Sequence, residues 1–210
     1  MSIEYEYQVT EYDKDKLLVK MKDNEFVFVG IYIFKVQTFY HPLMSEKNTY
    51  IRVRDEGTKV TMTTKKKGKN GFDKEYEITV NNFKDACQLA ESLGCIKKYY
   101  YEKIREIWRN SIAEVVFDTG PGIPECLEIE TKTEKNLNYM IKTLELKPVI
   151  GRQNIYKTLF DVVIPSDMNL EFSTVYDMLL PLVSKNKSLF KKICEQNIAK
   201  MKSLKKVKKK

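Results

Sequence analysis

The chain has 210 residues, 42% of them hydrophobic and 31% charged, which suits one domain with a packed core and excludes a wholly disordered polypeptide. Its net charge of +8 is mostly terminal: Lys202, Lys205, Lys206, Lys208, Lys209 and Lys210 carry six of those charges, leaving +2 for the rest. No apolar run approaches the ~18 residues of a membrane span, and the N-terminal MSIEYEYQV lacks the basic and apolar regions of a secretory signal.

In chain order, residues 3–10 alternate as a strand, with Glu4 and Glu6 on one face and Tyr5 and Tyr7 on the other. Residues 13–22 read as a short helix with Asp13 as N-cap. Residues 25–40, rich in β-branched and aromatic side chains, read as one long strand or two broken near Gly30. His41, before Pro42, suits a loop. Residues 49–54 and 58–65 form a hairpin about Asp55-Glu56-Gly57, with Arg52 and Arg54 alternating with Ile51 and Val53 and with Lys65 at its end. The basic, Gly-containing stretch 66–71 reads as a loop.

Residues 73–80 are a strand bearing Glu75 and Glu77, and 83–93 a helix capped by Asn81 or Asn82 and ended by Gly94. Strands follow at 99–109, with Lys103 and Arg105 on one face and Trp108 on the other, and at 111–118, ending on Asp118. After the turn TGPGIP comes a strand over 126–131 carrying Glu128 and Glu130. Residues 134–144 form a helix with Leu137, Met140, Ile141 and Leu144 on one side. The remainder to about 200 reads as helical pieces packed outside the sheet. Residues 1–200 are taken as one domain, and 201–210 as a flexible basic tail able to touch nucleic acid or another polyanion.

Many antiparallel strands with interspersed helices make the class α+β. Each charged strand has one ionic and one apolar face. With helices on the apolar faces, the ionic faces are left for solvent or for the lumen of a barrel. Cys87, Cys95, Cys126 and Cys194 contain no CxxC pair, and with a single histidine they complete no zinc site. They read as buried thiols of a reducing, cytoplasmic protein. The same lone histidine disfavours Ser-His or Cys-His nucleophiles. Arginine forks and lysines match phosphate oxygens. Carboxylates match Mg²⁺ or Mn²⁺. Together such walls suit a metal-bound triphosphate.

These segments resemble the CYTH family of triphosphate tunnel metalloenzymes, which includes class IV adenylate cyclases, thiamine triphosphatases and inorganic triphosphatases. Glu4-Tyr5-Glu6-Tyr7-Gln8 is similar to the E-x-E-x-K signature, and Ile51-Arg52-Val53-Arg54 to the L-R-x-R strand, followed by Lys65. Glu75 and Glu77 match an E-x-E strand and Lys103-Ile104-Arg105 a K-x-R strand. Asp118, Pro121, Pro124 and Glu128-Ile129-Glu130 match D-x-x-P-x-x-P…E-I-E. The resemblance runs to about residue 147, and more loosely to about 172.

The resemblance implies a closed antiparallel barrel of about eight strands with helices outside. It implies Mg²⁺ or Mn²⁺ on Glu4, Glu6, Asp118, Glu128 and Glu130, and triphosphate on Arg52, Arg54, Lys65, Lys103 and Arg105. Glu75 and Glu77 line the wall, and catalysis falls to Glu4, Glu6, Lys103 and Arg105. Gln8 stands where the family carries its signature lysine, which removes one positive charge from the grip on the substrate. The activity implied is a triphosphatase acting on inorganic triphosphate, a nucleoside triphosphate such as ATP, another organic triphosphate or an RNA 5′ end. A class IV adenylate cyclase is the alternative, and a non-catalytic polyphosphate- or RNA-binding module the third reading. Tyr101, on the face of Lys103, is a candidate to stack a base. A monomer or homodimer without membrane association is expected.

Overall fold

The computed structural model describes residues 2–43, 49–66, 72–147, 154–165 and 168–207, and the side chains of residues 2–4, 72–73 and 206–207 lie outside that description. The strands are β1 (Ser2–Val9), β2 (Val27–Tyr40), β3 (Thr49–Asp55), β4 (Val60–Lys66), β5 (Phe72–Val80), β6 (Ile96–Arg109), β7 (Ala113–Thr119), β8 (Cys126–Thr131) and the short β9 (Asn169–Leu170). The helices are α1 (Lys14–Asp23), α2 (Phe83–Ser92), α3 (Glu134–Thr143), α4 (Ile155–Phe160), α5 (Val175–Leu179) and α6 (Lys187–Val207).

Hydrogen-bonded neighbours run β2-β3-β4-β5-β1-β8-β7-β6, and β6 pairs in turn with β2, so eight antiparallel strands return to their start and curl into a tunnel. The closing pair, β2 with β6, is registered from Val27↔Arg109 to Tyr40↔Ile96, with irregularities near Gly30 and Thr38. The long apolar segment is thus one strand with a bulge rather than two strands. β9 adds in parallel to β6 at Tyr100↔Asn169 and Tyr101↔Leu170.

Local signals hold where the chemistry is local. The side chains of Asp13, Asn82 and Thr133 accept from backbone amides three residues on, capping α1, α2 and α3. Gly57 and Gly94 take positive φ at the hairpin turn and after α2. His41 joins the end of β2 to the end of α2, its Nε2 lying 3.2 Å from the Leu93 carbonyl. All four cysteines are buried and unbridged.

The packed cores lie outside the tunnel. Leu17, Met21, Leu137 and Met140 from α1 and α3 meet Val9, Val115, Phe117, Leu127 and Ile129 from the outer faces of β1, β7 and β8, with Trp108 at the margin. α2 covers Val53 and Phe39 with Ala86, Cys87 and Ala90. The C-terminal elements have a core of their own, including Phe160, Leu170, Val175, Leu179, Phe190 and Ile193. Apolar outer faces therefore go to helices and ionic faces to the lumen.

The expected flexible tail from residue 201 is corrected through Val207. α6 continues to that residue, with Met201 buried against Ile104 and Phe172 and Leu204 packed beside them. Apolar residues at 201 and 204 keep the helical spacing that carries α6 over the barrel. Residues 208–210 lie outside the described set. So does the expected loop after Lys66, over 67–71. No helix among the described residues is long and apolar enough to cross a membrane.

Candidate functional site

The tunnel holds a cavity of about 700 Å³, lined by Glu6, Arg52, Arg54, Lys65, Glu75, Glu77, Lys103, Arg105, Asp118, Glu128 and Glu130. The structure thus brings together every sequence-predicted site residue but two. Glu4 sits opposite Asp73 in the β1–β5 pairing, and its side chain lies outside the described residues. Gln8 is not among the lining residues; its amide Nε2 lies 3.6 Å from the Cys126 Sγ.

Strand order sorts the walls by sign. Acidic residues line a continuous arc of β5, β1, β8 and β7, and basic residues line β3, β4 and β6, joined through β2. β2 contributes no charge but places Phe34, 2% exposed, beneath the cations. The Lys103 Nζ lies 5.6 Å from its ring centre, and the Arg105 and Arg54 guanidinium carbons lie 5.6 and 5.7 Å away.

Where the arcs meet, opposite charges pair. At the β6–β7 seam Asp118 accepts from the Lys103 Nζ at 2.7 Å and from the Arg105 Nε at 2.7 Å, and Arg105 also reaches Glu128 at 2.9 Å. Burial opposes the charge on Asp118, but Arg105 and Lys103 outweigh it and hold the carboxyl far below the usual range. Burial and Arg105 push the Lys103 ammonium down, against Asp118 and Glu128. At the β4–β5 seam the Lys65 Nζ meets the Glu75 Oε1 at 2.5 Å, both residues being buried. Arg52 reaches Glu75 at 3.5 Å, and Arg54 meets Glu56 at 2.7 Å and Glu77 at 3.2 Å. Among the described residues the Nε groups of Arg52 and Arg54 are buried without a hydrogen-bond partner, an arrangement that suits an anion.

The middle of the acidic arc is different. Glu6 on β1, Glu130 on β8 and Glu114 on β7 share one rung, since Glu130 pairs with both neighbours in register. Side chains so placed stand roughly 5 Å apart at Cβ. Burial, then Glu114 and Glu6, push the Glu130 carboxyl up to about 7 despite Arg105 and Lys65. Among the described residues no three potential ligands already converge on one point. Glu114 is drawn aside by Arg109, whose Nε lies 2.9 Å from its Oε2. Still, the donor set is all oxygen and the surroundings of Glu130 are negative, which suits a hard divalent cation.

The sequence reading missed Glu114, although it lies four residues before Asp118 and so shares its face. It also missed Glu56, Lys59, Glu102, Arg109 and Phe34 as cavity residues. Tyr101 does line the cavity. Among the described residues, nine lining side chains are carboxylic and seven cationic, so a triphosphate alone would meet a net negative charge from them. Divalent cations accompanying it would offset that repulsion.

Residues 3–150 match the family model of the CYTH domain. No curated protein matches the chain. Among solved structures, the PH1012 protein of Pyrococcus horikoshii OT3 is similar with a TM-score of 0.60 and 20% identity, over 71% of this chain and 96% of that one. A candidate adenylate cyclase of Vibrio parahaemolyticus gives 0.60 and 16%, over 73% and 95%. HpAC1 of Hippeastrum, a candidate adenylyl cyclase described as revealing a dominant triphosphatase activity, gives 0.52 and 14%, over 75% and 94%. These likenesses establish the same fold.

Proposed function

The chain belongs to the CYTH domain family, and on that footing we propose that it is a metal-dependent triphosphatase. The observation that carries this reading is the division of one cavity into a cationic arc with unbonded arginine donors and an acidic arc with Glu130 pushed up by its neighbours. The reading also draws on HpAC1, which shares the fold and is described as having a dominant triphosphatase activity.

In this proposal Arg52, Arg54, Lys65, Lys103 and Arg105 grip the phosphate oxygens. Each already faces a carboxylate, so the triphosphate takes over cations that Glu75, Glu77 and Asp118 hold in its absence. Glu4, Glu6, Glu128 and Glu130 would hold Mg²⁺ or Mn²⁺, with Asp118 supporting the set by fixing Arg105 and Lys103. A bound divalent cation supplies charge neutralisation at phosphorus and a more acidic water. Lys103 and Arg105 stabilise the charge that develops as a water oxygen bonds to the terminal phosphorus and the bridging P–O bond breaks. The water proton passes to a carboxylate of the acidic arc, the bridging oxygen departs with the diphosphate end of the substrate, and the attacked group is released as orthophosphate.

Incubation with ATP or inorganic triphosphate and Mg²⁺ or Mn²⁺ tests the reading. Orthophosphate, with ADP from ATP, is expected. Cyclic AMP with pyrophosphate would replace this reading by a cyclase. Tight binding without turnover under any divalent metal would make the protein a binding module.

A further inference from the structure

The end of the cavity near Tyr101 is unlike the rest. Along β6 the inward positions run Tyr101, Lys103, Arg105, Ile107, Arg109, so the aromatic residue and the acidic-rung arginine lie about 26 Å apart along the strand at ~3.3 Å per residue. That is a longer path than three linked phosphates cover. At the Tyr101 end the wall is completed by Pro121, Ile123, Tyr156 and Leu170, none of them ionic, with Glu102 beside them, whose carboxylate accepts from the Phe172 amide at 3.1 Å. Tyr156 and Leu170 lie beyond the matched family region, which ends at residue 150.

This end is built, not incidental. The C-terminal layer grips the β7–β8 loop at several points. The Asn197 Nδ2 donates to the Gly120 carbonyl at 2.6 Å and to the Ile123 carbonyl at 3.1 Å. The Lys200 Nζ donates to the Thr119 hydroxyl and to Glu125, each at 2.9 Å. The Tyr156 hydroxyl donates to the Pro121 carbonyl. Burial pushes that phenol far up, so it remains a donor at any ordinary pH. Gly122 takes φ +72°, and a Cβ there would come 2.8 Å from the Phe190 ring. Helix α6 therefore approaches the loop as closely as glycine allows. Leu170 is held by the pairing of β9 with Tyr101.

We propose that the C-terminal layer gives this tunnel an apolar, aromatic end wall, Tyr101, Ile123, Tyr156 and Leu170, which receives the base of a nucleoside triphosphate while its phosphates extend towards Lys103 and Arg105. The proposal rests on the triphosphatase reading and narrows its substrate class. Inorganic triphosphate has no group to place against this wall. A planar base does, because rings pinned by hydrogen bonding and packing present stacking surface at little entropic cost. The loop carbonyls of Gly120, Pro121 and Ile123 are already engaged by Asn197 and Tyr156. Recognition therefore rests on stacking, and the wall accepts purines and pyrimidines alike.

The test compares kcat/KM for ATP, GTP, CTP, UTP and inorganic triphosphate in the full chain with Mn²⁺. The four nucleotides should lie within about tenfold of one another and above inorganic triphosphate by about tenfold or more, the range stacking supports. Tyr156→Leu and Tyr101→Leu should each lower the ratio of ATP to inorganic triphosphate by about tenfold, and Tyr156→Phe, which keeps the ring, should preserve it. A wild type that prefers inorganic triphosphate, or a ratio unmoved in both leucine variants, overturns the proposal. If no triphosphate is turned over, the triphosphatase reading fails separately, and calorimetric binding decides the end wall. ATP binding more tightly than inorganic triphosphate, with the preference lost in Tyr101→Leu, supports it, and equal affinities overturn it.

Discussion

At the two seams of the tunnel, acids meet bases; in the middle of its acidic arc, acids meet acids. Lys65 faces Glu75, Arg54 faces Glu56 and Glu77, and Lys103 and Arg105 face Asp118. Glu130 instead has Glu6 and Glu114 beside it and is pushed up to about 7. The seams are electrically complete within the protein and give rigidity to cations that would otherwise repel one another. The acidic middle gains from a charge the chain does not supply. A protein selected only for stability would not place Glu130 there, which is why the proposed function gives it to the metal.

The largest effect expected from breaking this contrast is on turnover. Replacing Glu128 and Glu130 together by Gln should lower metal-dependent phosphate release by about a thousandfold or more. The circular dichroism spectrum should stay native, because Arg105 keeps Asp118 when its contact with Glu128 is lost. Unchanged release would sink the assignment of the acidic arc.

Removing one partner of a seam should act on folding as well as on the grip on substrate. Lys65→Met leaves Glu75 buried with Arg52, at 3.5 Å, as its remaining cation among the described residues. A loss of about 3 kcal/mol in denaturant unfolding is expected. Adding Glu75→Gln should recover much of it, since a neutral pair needs no counter-charge.

The acidic middle should respond in the opposite direction. Glu130→Gln should stabilise the metal-free protein at pH 8 by on the order of 2 kcal/mol, because it removes a carboxylate ionised at a cost. The folded value of about 7 lies above the unfolded carboxylate value. The stability of the neutral form is therefore fully present below pH ~4.3 and is lost as pH rises through about 7. The gain in the variant should shrink accordingly by pH 5, as thermal melts at the two pH values would show.

The smallest effect concerns Gln8, whose amide turns to Cys126. Gln8→Lys adds a longer, charged side chain opposite Glu128 in the β1–β8 pairing. It should lower KM for a triphosphate about threefold, on the scale of one partly screened charge contact. A rise in KM would mean that the extra cation competes with metal at the acidic arc.

Much of the site is legible because strand parity is local. Arg52 with Arg54, Lys103 with Arg105 and Glu128 with Glu130 repeat at i and i+2, and each pair needs only an extended backbone to share a face. Glu114 is equally legible by its spacing from Asp118. Phe34 is not: β2 is apolar on both faces, so alternation carries no sign of which side chain enters the lumen. Tyr156 and Leu170 are beyond such rules, because they reach the cavity through packing against the β7–β8 loop rather than through the pattern of their own segments.

The sequence by itself determined that each charged strand has one ionic face and that helices begin at Asp13 and at Asn81 or Asn82. These follow from dihedral geometry and caps within a few residues. Only the tertiary structure decided that β1 lies between β5 and β8, that β2 closes on β6, and that α6 continues over the barrel. Those pairings join segments far apart in the chain, where the free energy comes from burial and ladder hydrogen bonds summed over the whole ring. That closure turns scattered E-x-E and R-x-R pairs into one arc of each sign facing the other across a single cavity.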